Sequence, residues 1–152
     1  MREITIDIDS GAVWDEVQKA TAYAADKSAP TGEDSEAIYD KLVMTKAAAD
    51  ELKRYYEEAI SVLRSHLGAR CAGVVSTEGK TTTLRLNVSE RYSDEHNDAV
   101  RQLLQGYCVN YICAEWYKDI NGEMTKSAIE QAGIKMEAAL SLLNTLSAPT
   151  HI

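Results

Sequence analysis

Phenylalanine is absent from the chain; eight tyrosines and two tryptophans supply its aromatic bulk. Both suit half-wet positions and interfaces, because each carries a polar handle on an apolar body. Basic clusters are missing too. The formal charge is −8, with acidic residues in most segments. A groove that grips phosphates needs lysine and arginine to release counterions, so tight sequence-reading of DNA or RNA is not expected. No apolar run reaches the roughly 18 residues of a membrane span, and no charged-then-apolar leader is visible. Neither a membrane contact nor a signal peptide is expected.

Cysteine is sparse and odd in number: Cys71, Cys108 and Cys113. The last two lie on one predicted helix, about 140° apart around it, so they do not readily bond each other or share a metal. Reduced, buried thiols in a cytoplasmic compartment are the expectation. The glycines form neither GxGxxG nor GxxxxGK[ST], no serine stands in GxSxG, and His66, His96 and His151 fit no HExxH or other metal-ligand spacing. No cofactor and no metal is expected.

The length fits one domain, 1–152, with a proper core. Its organising stretch is 94–118, read as one helix of about 37 Å. Val100, Leu103, Leu104, Tyr107, Tyr111 and Ala114 form one stripe at about 100° per residue. From Gly106 onward the other faces turn apolar as well, through Cys108, Val109, Ile112, Cys113 and Trp116. Such a helix is buried on more than one side. It is either central to the fold or meets a second subunit.

Before it, Arg2–Asp9 alternates, with Ile4, Ile6 and Ile8 on one face, and predicts a half-buried strand. Asp9 or Ser10 caps a helix over 12–27. The stretch 28–35 collects Pro, Gly, Ser and Asp and predicts a mobile loop, and 36–44 predicts a short helix or irregular bridge. Thr45 caps a helix over 46–67, closed by Gly68. Residues 74–76 and 81–88 bracket a hairpin turn, with Leu84, Leu86 and Val88 facing one way. The turn 119–122 leads to a last helix over 123–146, striped by Ile129, Ala132, Met136, Leu140 and Leu143. Gly133 on that stripe's edge suits close helix contact. Pro149 follows, with a loose tail over 147–152. The fold class is mainly α (α+β): a four-helix core with an N-terminal strand and a β-hairpin, in the order β-α-α-β-β-α-α.

Asp7-Ile8-Asp9-Ser10-Gly11 superficially resembles the strand-end aspartate pair of haloacid-dehalogenase-type phosphotransferases, in which one carboxylate attacks phosphorus. Those aspartates follow a buried parallel strand. Here the strand alternates, Asp7 falls on the polar face, and the later lysine and metal-binding acids are missing. Helix capping and strand solubility explain the same residues, so no catalytic residue is assigned and the chain is read as a non-enzyme. The aromatics Tyr107, Tyr111, Trp116 and Tyr117 lack the flanking basic residues of a base-stacking platform. Core and subunit interface remain open for each.

The layout as a whole has a counterpart. A strand leads into Val13-Trp14-Asp15-Glu16-Val17, and Tyr39-Asp40-Lys41-Leu42 precedes a long helix. After the β segment comes a helix ending Tyr107-x3-Tyr111-x2-Ala114-x-Trp116-Tyr117-Lys118, and then a final helix. This resembles small, mainly helical virion proteins encoded among the head and tail genes of tailed phages and prophages. The resemblance implies a structural subunit of a head–tail connector or neck, an adaptor or completion protein assembled in the bacterial cytoplasm. It implies a ring of identical subunits, contacts with portal and tail proteins, and DNA passing through the lumen without sequence-specific contact. An acidic lumen wall suits such passage, since like charge suppresses sticking. No signature residue is carried across. Interface candidates, chosen because buried aromatics dominate interface energetics, are Trp14, Tyr107, Tyr111, Trp116 and Tyr117. Two other readings stand beside it: a cytoplasmic helical adaptor or regulator that binds one protein partner as a dimer, and a small enzyme whose site is shared between chains.

Overall fold

The computed structural model describes residues 1–28, 48–77 and 80–146, including the side chains of all of these except 24–28 and 77. The expected loop over 28–35, the short element over 36–44, the Thr45 cap and the tail over 147–152 lie outside the described residues, apart from Ser28 itself. Among the described residues the order is β1 (Arg2–Asp9), α1 (Ser10–Ser28), α2 (Ala49–Leu67), β2 (Cys71–Thr77), β3 (Thr81–Val88), α3 (Asn97–Tyr117) and α4 (Gly122–Leu143). This is the mainly helical α+β arrangement that the sequence predicts.

The three strands form one antiparallel sheet in the order β1-β3-β2. Its register sets Ile4 opposite Leu86 and Ile6 opposite Leu84, while Val74 of β2 also faces Leu84. The period of two therefore aligns across the sheet, and Ile4, Ile6, Ile8, Leu84, Leu86 and Val88 are all buried on one face. The other face is polar. There Arg85 bonds Glu3 at 3.0 Å, and Thr83 donates to Asp7 Oδ1 at 2.6 Å.

Local chemistry sets the helix ends. Asp9 Oδ1 accepts from the backbone N–H of Gly11 at 2.8 Å and of Ala12 at 3.3 Å, so Asp9 is the cap of α1. Gly68 ends α2 at φ 59°, and its N–H bonds the carbonyl of Arg64. Asn121 Oδ1 accepts from the N–H of Glu123 and Met124, both at 3.1 Å, and starts α4. A 3-10 turn, Asp94–His96, precedes α3, and Ser93 caps that turn.

The predicted central helix is central. α3 lies against β1, α1, α2 and α4, while α4 packs almost wholly on α3. Its apolar sides are covered within the chain: Val100, Leu104, Tyr107, Cys108, Val109, Ile112, Cys113, Ala114 and Tyr117 are buried.

Two expectations for the last helix need correction. It ends at Leu143, not Leu146: the Asn144 N–H bonds the carbonyls of Leu140 and Ser141, and Leu146 instead bridges to Tyr92. Its buried stripe is Ala128, Ala132, Met136, Ala139 and Leu143. Ile129, expected on that stripe, is 58% exposed. The reason is geometric. A helix with a single neighbour buries a narrow strip, and the alanines let it sit close to α3.

Candidate interface

A groove of about 410 Å³ runs between α3 and α4, closed at one side by the end of α2. Tyr107, Tyr111 and Ala114 of α3 form one wall, and Ile129, Ala132 and Gly133 of α4 form the other. His66, Glu115 and Lys118 stand among its lining residues. The Tyr107 ring meets His66 edge-on at 6.1 Å and lies 6.2 Å from the Tyr111 ring. Burial pushes the Tyr107 hydroxyl up to about 12, and raises Tyr111 as well, with Glu115 and Glu58 adding to the effect. Both phenols stay neutral, so the groove is apolar at its floor and polar at its lip. One acid and one lysine flank it.

α4 contributes an anomaly. Gly133 is exposed in mid-helix, and a Cβ built there meets nothing within 4 Å among the described residues. The close helix contact expected at this glycine is therefore not made among the described residues. Glycine in place of alanine costs a helix about 1 kcal/mol. Gly106 is different, since a Cβ there would stand 3.0 Å from Lys135 Cδ.

The structure divides the aromatic candidates. Tyr107 and Tyr117 are each 4% exposed and belong to the core. Trp14, Tyr111 and Trp116 are partly buried against it. Tyr107 and Tyr111 come together in the groove, whereas Trp14 lines a separate hollow of about 900 Å³ beside Asp9, Tyr56 and Lys80. Trp116 lines neither. Ile129, Gly133, Glu115 and Lys118 were not among the sequence-based candidates. The available signal was a glycine interrupting the flank of an otherwise regular amphipathic helix.

Asp7 and Asp9 are exposed and engaged, by Thr83 and by the α1 cap. Among the described residues no three His, Cys, Asp or Glu side chains are grouped to hold a metal ion. Cys108 and Cys113 are buried and unbonded to each other, and burial pushes both thiols up to about 12. No described helix is long and apolar enough to cross a membrane.

Compared with family models, curated proteins and solved structures, the chain gives no match to any of them.

Proposed function

We propose that the chain is a non-catalytic structural subunit that assembles with other protein, of the kind that forms the head–tail connector of a tailed phage. The observation that carries this reading is the open groove along α3 and α4, with Ile129 exposed at its rim and an otherwise unexplained glycine beside it. Exposed apolar surface beside aromatic side chains marks protein contact more often than small-molecule chemistry. The free edges of β1 and β2, unpaired among the described residues, supply a second and unlike surface, as a ring requires. The net charge of −8 agrees with a lumen that passes DNA.

The test is solution mass by light scattering over a wide concentration range, with electron microscopy of the protein alone and mixed with portal rings. Rings, or docking on a portal, are expected. A chain that stays single at every concentration and ignores portal rings defeats the reading. The helical adaptor that works as a dimer is the second reading. It is favoured by one feature of α4, the self-complementary order of its exposed residues, and a strict dimer in the same experiment would select it.

A further inference from the structure

We propose that α4 pairs with α4 of a second copy, antiparallel and crossing at Gly133. The inference rests on the reading that the chain assembles with protein, and adds the partner and the contact. The pair is self-complementary, so it belongs to the dimeric reading or joins one ring to another, not to the contact between neighbours within a ring.

At about 100° per residue, Lys126, Ile129, Glu137 and Leu140 all lie within about 40° of Gly133 around the helix. One face therefore carries them together. Ile129 is 58% exposed on it, and Leu140 is only partly buried. Among the described residues nothing requires a glycine at 133, because a Cβ there has open space. A second helix crossing at that point would use the missing side chain to come close. Without a side chain at the crossing, two axes approach to the short end of ordinary helix packing, roughly 8 Å.

The charge pattern selects the occupant. A chain at −8 repels its own copy, so a contact between copies needs local complementarity. In an antiparallel pair centred on Gly133, Ile129 of one helix lies one turn from Leu140 of the other, on one flank. On the other flank Lys126 stands between Glu130 of its own helix and Glu137 of the second copy, about 4.5 Å along the axis from the latter. All three charged side chains are exposed, and none is in an ion pair among the described residues. The twofold axis makes each contact twice. A closed assembly that contains this pair holds an even number of copies.

The full chain is measured by sedimentation and light scattering up to roughly 1 mM, the weak limit of specific association. The variants are Gly133→Arg, Lys126→Glu, Glu137→Lys and the double swap K126E/E137K. Arginine at 133 meets open space among the described residues and suits a helix better than glycine, so its thermal unfolding at low concentration should match the parent's or lie above it. Pairing should weaken at least roughly tenfold in Gly133→Arg and severalfold in each single swap, and the double swap should restore it. If the parent assembles and Gly133→Arg assembles equally well, the α4 crossing is wrong while the structural reading stands. A parent that remains a single chain but binds portal rings overturns the pairing alone, with α4 then taken by a different protein. A parent that remains single and binds no portal overturns both.

Discussion

Lys135 lies along α3 in the space that Gly106 leaves open: a Cβ at 106 would stand 3.0 Å from its Cδ and 3.2 Å from its Nζ. The same Nζ donates to Asn110 Oδ1 at 2.6 Å. Glycine here lets a lysine stem cross the helix and reach a partner. Gly106→Ala gains about 1 kcal/mol of helix propensity and loses a comparable amount as the stem and its hydrogen bond shift. The substitution is expected to be near neutral in the parent. In a Lys135→Ala background it should stabilise by about 1 kcal/mol, read by urea unfolding as a double-mutant cycle. Equal effects in the two backgrounds would show that the residues do not interact.

Two tyrosines, one partly and one fully buried, should respond oppositely to loss of the hydroxyl. Tyr56 shares a 2.7 Å hydrogen bond with Thr82, a side chain only 2% exposed. Tyr117 buries its hydroxyl with no partner among the described residues. Tyr56→Phe leaves the Thr82 hydroxyl unsatisfied and should cost about 1–2 kcal/mol. Tyr117→Phe removes an unmatched polar atom and should leave stability unchanged or raise it by up to about 1 kcal/mol. A loss at Tyr117 comparable to that at Tyr56 would contradict this account.

Alkaline pH should destabilise the fold through its thiols. Burial pushes Cys108 and Cys113 up to about 12, against 9.0 for an ordinary thiol. Above pH 9 the unfolded chain releases both protons and the folded chain keeps them. Their contribution is thus complete below pH 9 and is lost as pH rises toward 12, with a slope approaching about −1.4 kcal/mol per pH unit for each thiol. Unfolding free energies should fall from pH 8 upward, and Cys108→Ala should reduce the slope most clearly between pH 8 and 9, before the tyrosines with raised values, Tyr107 among them, add to the fall near pH 10. Thiol reagents should reach the partly exposed Cys71 in the folded protein, and the other two only after unfolding.

The caps of the first and last helices are separable. Asp9→Ala leaves the N–H groups of Gly11 and Ala12 without their acceptor, and Asn121→Ala does the same to Glu123 and Met124. Each should lower stability by about 1 kcal/mol. The sites share no hydrogen-bond partner, so the double variant should show the sum. Thermal unfolding midpoints check both points.

The sequence by itself determined the elements and their inward faces. The alternation of Ile4, Ile6 and Ile8 named the buried side of β1, and Leu84, Leu86 and Val88 did the same for β3. Gly68 marked the end of α2, and the all-round apolar second half of α3 marked the central helix. These signals are local: a period of two or of 3.6 depends only on backbone geometry. Tertiary structure alone decided how wide each buried strip is. α3 has neighbours on several sides and buries Cys113 and Tyr117 as well as Val100, Leu104, Tyr107 and Ala114 of its stripe. α4 rests on one helix, so the same amphipathic pattern leaves Ile129 and Gly133 in the open. Periodicity gives the direction in which a helix faces the core, while the number and distance of its neighbours set how much of it they cover. That count is a property of the packed chain, and it left a groove between α3 and α4 that helical periodicity alone does not mark.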